Sequence, residues 1–158
     1  ISFKIVICAG GKDCLILNEI GLVSFCFNSE TTTYIPDFIF KYIREMNEVL
    51  NNPVEIIVAY DNDFTGYDMK SIIQDKFEIK GLKCSVLDWP QTEEYFNIKD
   101  IADLVESGIE EEELLEFVVG NDYDKSAHLS FDELEEIESA ISPVSPQKEK
   151  NLKQIMNP

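Results

Sequence analysis

The chain has 158 residues, with 31 acidic against 13 basic side chains and a formal net charge of −18. An apolar fraction of 44% with 11% aromatics suits one packed domain and excludes wholesale disorder. So acidic a surface repels phosphate backbones and excludes the basic footprint of a nucleic-acid-binding domain acting alone.

The first strand-like run, residues 3–8, leads into Ala9-Gly10-Gly11-Lys12-Asp13. A helical pattern over 12–20 follows, stopped by Gly21. A second strand over 22–27 ends in Asn28-Ser29-Glu30-Thr31. Next comes a helix over 36–50, with Pro36 suited to its first turn and Phe38, Tyr42, Met46 and Val49 near one face. The third strand, 54–60, is the most hydrophobic and runs into Asp61-Asn62-Asp63 before a helix over 67–77. A fourth strand over 82–87 ends at Asp88-Trp89.

These strands are short, continuous and rich in Val, Ile, Phe and Cys, as buried parallel strands are. Alternation with helices predicts right-handed crossovers and an open parallel four-stranded sheet, hence an α/β domain over 1–107. Beyond it, two short helices over 98–106 and 110–119 break at Ser107-Gly108, and a polar loop over 120–129 leads to a helix over 131–141. Residues 108–141 read as a small acidic helical extension, and 142–158, with three of the six prolines, as a linker or flexible tail. Residues 100–140 hold 15 of the 31 acids and one base, Lys125, a distribution typical of solvated helix faces.

Several classes are excluded or set aside. No apolar run approaches the roughly 18–20 residues that cross a bilayer, and no basic-then-apolar leader is present, so a cytoplasmic protein without membrane contact is expected. The start at Ile1 reads as that of a fragment. Cys8, Cys14, Cys26 and Cys84 form no CxxC pair and are expected to be free thiols packed as small hydrophobes. The single histidine, His128, has no strand-end partner, so Ser–His and Cys–His nucleophiles are not expected.

Ligands of open parallel sheets bind beyond the carboxyl ends of the strands. There, Asp61 and Asp63 flank one residue, and in an extended segment both carboxylates face one point. Two carboxylates so close repel unless a cation or shared proton intervenes. Oxygen ligands with open positions suit Mg²⁺, which keeps waters and recruits phosphates. Gly66 then lets the helix start pack closely, and Gly10 and Gly11 let the first turn bend sharply. Helix capping is the alternative role for an aspartate pair after a strand.

Strand, "GGKD", strand, "NSETTT", strand, "DNDFTG", in that order, resembles the Toprim domain shared by bacterial primases and topoisomerases. The likeness covers about residues 3–105, including "NIKDIADLVESG", and extends to a divergent primase-like branch from mobile elements with a "GG-KD" turn and an "FNSET" segment. It implies a Toprim-like (Rossmann-like) fold and Mg²⁺- or Mn²⁺-dependent phosphoryl or nucleotidyl transfer in DNA replication or mobilisation. Asp61, Asp63, Asp13 and Asp100 are the implied metal ligands, with Asp103 the other member of the later acidic pair. Gly10, Gly11, Lys12 and Gly66 form the implied phosphate loop. DNA, RNA and nucleotides would be reached through flanking domains or through metal ions, with weak nucleic-acid binding by this chain alone.

One position departs from the family. A glutamate usually precedes the first glycine, and here that residue is Ala9, whose methyl group neither ligates a metal nor shuttles a proton. Glu30 is the expected replacement, serving with Asp13 as a catalytic acid within about 6–8 Å of Asp61 or Asp13. The alternatives are a catalytically degenerate Toprim-fold binding or assembly module, and a calcium-responsive helical module. The latter would use Asp122, Asp124, Ser126 and Glu133 in an EF-hand-like loop whose glycine position is Ala127.

Overall fold

A computed structural model of the protein describes residues 3–27, 29, 31–50 and 53–120. Four strands form one open, wholly parallel sheet: β1 (Lys4–Cys8), β2 (Val23–Cys26), β3 (Glu55–Ala59) and β4 (Lys83–Val86), in the order β2-β1-β3-β4. The expected α/β architecture is therefore present, and it is Rossmann-like. The two central strands are the continuous apolar runs. All five residues of β1 are buried, as are four of the five in β3, whereas β2 and β4 at the edges are more open. In register, Cys8 lies beside Cys26 on one side and Ala59 on the other.

Among the described residues the helices are α1 (Gly11–Glu19), α2 (Asp37–Leu50), α3 (Phe64–Ile79), α4 (Ile101–Glu106) and α5 (Glu111–Val119), with a 3-10 turn at Glu93–Tyr95. Side chains alternate across each strand. Val6, Cys8, Ile57 and Ala59 meet Leu17 of α1, Leu104 of α4, and Leu114, Leu115 and Val118 of α5 in one apolar cluster. Ile5, Ile7, Ile56 and Val58 alternate with these and are buried as well. Helices α2 and α3 supply Phe40, Ile43, Met46, Ile73 and Phe77, with the Phe40 and Phe77 rings 5.3 Å apart edge to face.

Three expectations change. In α2 the buried stripe is Phe40, Ile43 and Met46, while Phe38, Tyr42 and Val49 face solvent. Apolar residues cover more than half of this helix, and docking on the sheet selected a different arc. The third helix begins at Phe64, not Tyr67, because Asp63 caps it by accepting a hydrogen bond from Gly66 N at 2.7 Å. Finally, α5 is not separate from the sheet. Its apolar face lies in the common core, and the buried Lys4 ammonium donates to Val119 O at 2.6 Å, so the division expected at residue 107 falls inside one packed unit.

The four cysteines are free thiols, and Cys8, Cys14 and Cys84 are buried. Among the described residues no helix is long and apolar enough to cross a membrane. The loop and helix expected over 120–141, with the calcium-loop residues Asp122, Asp124, Ser126 and Glu133, lie outside the described residues, apart from Gly120.

Candidate metal centre

Because β1 and β3 are neighbours, the segments leaving their carboxyl ends emerge side by side. The chain leaves β1 toward β2 on one flank and leaves β3 toward β4 on the other. This is the switch point where open α/β sheets leave a crevice. Asp13, in the first turn of α1, and Asp61, two residues past β3, both reach it. Asp100, the N-cap of α4, arrives from the far end of the sequence. One carboxylate oxygen from each of Asp13, Asp61 and Asp100 lies within 4.8 Å of the others, a group able to hold a metal ion.

Asp13 and Asp100 are positioned by main-chain hydrogen bonds. Asp13 is buried, and its Oδ1 accepts from Ala102 N at 3.0 Å, which joins α1 to the start of α4. Asp100 Oδ1 accepts from Asp103 N at 2.8 Å, capping α4, and Asp103 Oδ2 accepts from Lys99 N, one residue before the cap, at 2.9 Å. Asp103 is thus engaged in the cap. The N–H groups at the start of α4, bonded in this way to Asp13 and Asp100, give the acids partial positive compensation. Compensation is incomplete. Burial, then the neighbouring Asp100 carboxylate, push the Asp13 carboxyl up to about 6, with Asp61 adding to the rise and the Ala102 N–H opposing it. A cation between the three acids would relieve this repulsion.

Two features adjacent to Asp61 hold it there. A Cβ added at Gly66 would meet Asp61 O at 2.1 Å, so the first turn of α3 presses on the Asp61 main chain in a way only glycine allows. This matches the close packing expected of Gly66. Asn62, between the two aspartates, donates its main-chain N–H to Lys99 O at 2.6 Å and its Nδ2 to Tyr95 O and Ile98 O at 3.2 and 2.9 Å. It ties the end of β3 to the segment entering α4, and so sets Asp61 opposite Asp100.

Other expected site residues are placed differently. Asp63 is not in the three-acid group; its Oδ1 caps α3. Strand β3 ends at Ala59 and the chain bends at 62–63, so the two-residue alternation of a strand does not carry both carboxylates to one point. Gly10 is extended, with φ −141°, and Gly11 opens α1; a Cβ on either meets nothing within 4 Å, so no sharp turn depends on them. The exposed Lys12 pairs with Glu106 at 3.4 Å. Ala9 is buried at the end of the β1 segment. Glu30 lies outside the described residues.

Asn62 was missed in the sequence because it read as a spacer between two acids. Its only local signal is a side-chain amide at a strand end, where free loop carbonyls need donors. Lys70 was missed as well: it is buried in α3, with its ammonium on Leu87 O at 3.1 Å and on Asp88 Oδ1 at 2.8 Å, fixing the exit of β4 beside the crevice. No family model and no curated protein matches the chain, so the centre is defined by its own geometry.

Proposed function

We propose that Asp13, Asp61 and Asp100 bind Mg²⁺ or Mn²⁺, and that the chain is a Toprim-like domain of a primase-like protein. In this reading it supports metal-dependent phosphoryl or nucleotidyl transfer in DNA replication or mobilisation. The observation that carries the proposal is the meeting of three carboxylates at the switch point of a parallel sheet, with the Asp13 carboxyl pushed up to about 6 by its burial and then by its acidic neighbours. All-oxygen donors suit a hard cation, and three donors leave positions open for water and phosphate. A bound ion supplies charge neutralisation for transferring phosphate oxygens. The protein's own part is to fix Asp13 through Ala102 N, Asp100 through Asp103 N, and Asp61 through the Asn62 and Gly66 contacts. DNA, RNA and nucleotides are proposed to reach the centre through flanking domains or metal ions, because the net charge of −18 opposes direct binding.

A second reading, a catalytically degenerate binding or assembly module, is favoured by the buried Ala9 in place of the glutamate that the Toprim resemblance implies. Mn²⁺ binding followed by electron paramagnetic resonance tests the centre. The parent should bind, and Asp61→Asn and Asp100→Asn should each weaken binding by tenfold or more while remaining folded. Parent-like binding by both variants would place the metal elsewhere. Metal binding without Mn²⁺-dependent transfer by the full-length protein would select the degenerate module.

A further inference from the structure

A cleft of about 880 Å³ opens at the start of α3, walled by the carboxylates of Asp61, Asp63 and Asp88 and by the rings of Phe64, Tyr67 and Trp89. Phe64, the first residue of α3, is 93% exposed, and Tyr67, three residues on and therefore on the same face, is 64% exposed. Lys70, also in the wall, is already committed. Its ammonium donates to Leu87 O at 3.1 Å and to Asp88 Oδ1 at 2.8 Å, and it lies 4.7 Å from the centroid of the Tyr67 ring. With that contact made, the Asp88 side chain is still 80% exposed, which leaves its carboxylate room for a second donor. Trp89 is locked by its Nε1–H on Tyr60 O at 2.8 Å. Acidic oxygens and bare aromatic surface thus share one concavity, on a wall held by the Lys70 and Trp89 bonds.

That mixture selects its occupant by charge and shape. A polyanion is repelled by the three acids and by the net charge of −18. A purely apolar segment would cover the carboxylates without giving them a partner, which is costly. A guanidinium group meets both demands. Its flat face stacks on aromatic rings while its N–H fork donates to carboxylates, whereas a lysine ammonium brings charge without the flat face. We infer that this cleft docks an arginine-bearing basic segment of a partner protein, its guanidinium groups stacked on Phe64 and Tyr67 and hydrogen-bonded to Asp63 and Asp88. The inference does not rest on the metal centre, and it goes beyond the function proposed above by assigning a protein partner to the face beside that centre. The acidic surface steers such a partner toward the cleft during encounter.

The chain's single tryptophan, Trp89, lines the cleft and gives the readout. Trp89 fluorescence of the full chain is titrated, without divalent metal and at about 0.15 M salt, with a blocked hexa-arginine peptide. Hexalysine serves as the probe of charge alone, free arginine as the small-molecule source of the same group, and single-stranded oligothymidine as the polyanion. Hexa-arginine should change the fluorescence saturably and bind roughly fivefold or more tighter than hexalysine. Phe64→Ala should weaken it on the order of fivefold, Phe64→Tyr should restore it, and Asp88→Asn should weaken it about threefold or more. Both positions are solvent-exposed, so these substitutions leave the core intact. Hexalysine binding as tight as hexa-arginine, or parent-like binding by Phe64→Ala or Asp88→Asn, would mean attraction to net charge alone and would overturn the inference. Free arginine binding as tight as the peptide, or oligothymidine binding that depends on Phe64, would overturn it as well. Each of these results leaves the three-aspartate group standing, because its Mn²⁺ binding is read separately.

Discussion

Asp13 concentrates the chemistry of this protein in one side chain. Its carboxyl is raised from 3.8 to about 6 by burial and by the Asp100 charge, so the folded state holds its proton more tightly than the unfolded state. The associated stability is fully present below about pH 3.8 and is lost as pH rises through about 6, on the order of 3 kcal/mol for a two-unit shift. Asn at this position cannot ionise, yet its Oδ1 still accepts from Ala102 N. Without divalent metal, the urea midpoint of Asp13→Asn should match the parent near pH 4 and exceed it near pH 7, and Mg²⁺ should recover the parent alone. An advantage for Asn that does not grow with pH would mean the repulsion is already relieved. Glycine gives a second residue-scale contrast. Gly66→Ala forces a Cβ against Asp61 O and should cost about 1–3 kcal/mol, with loss of Mn²⁺ affinity. Gly10→Ala, which meets open space, should stay within about 0.5 kcal/mol of the parent by thermal unfolding.

Among the elements, the join between the end of β3 and the start of α4 decides the site. Asn62 supplies a side-chain link across it, with two hydrogen bonds from Nδ2 to Tyr95 O and Ile98 O. Each bond contributes about 1 kcal/mol, so Asn62→Ala should lower stability by about 1–2 kcal/mol. The larger effect is expected in metal binding, because Asp61 and Asp100 lose their common anchor. Calorimetric Mn²⁺ titration should show a fall of tenfold or more, while Asp63→Asn, which keeps an acceptor for Gly66 N, keeps the helix cap intact. Helix α2 shows what patterning leaves open. Phe38, Ile39, Phe40, Tyr42, Ile43 and Met46 occupy one arc of a little over half its circumference, wider than the buried stripe, so the periodicity marks the apolar side without saying which part of that arc is inward. The Phe40–Phe77 ring contact settled that choice across two elements.

For the molecule as a whole, net charge sets the expectation for nucleic-acid binding. With 31 acids against 13 bases, single-stranded DNA should not bind at micromolar concentration in about 0.15 M salt without divalent metal. Fluorescence anisotropy with a labelled oligonucleotide checks this, and tight metal-free binding would show a basic surface that the net charge conceals. The core also extends further than composition suggested. The acidic run Glu110–Glu113 marked residues beyond 107 as a solvated extension, yet Leu114, Leu115, Val118 and Val119 of α5 fill the cluster beneath the sheet. Acids at a helix start and leucines on its inner face belong to the same nine residues, and regional charge averages the two away.

By itself the sequence determined the element types and their alternation, the parallel sheet, and the concentration of acids after its strands. These follow from local rules: continuous apolar runs make buried strands, glycine and capping aspartates bound helices, and strand ends carry ligands. Only the tertiary structure decided the strand order β2-β1-β3-β4, the inward arc of α2, the membership of α5 in the core, and the choice of Asp100 over Asp63 as the third acid. Each of these is a contact between segments far apart in the chain; the hydrogen bond from Ala102 N to Asp13 spans 89 positions. No periodicity encodes such a meeting, because it depends on which strands lie side by side and on where a loop carbonyl finds its donor.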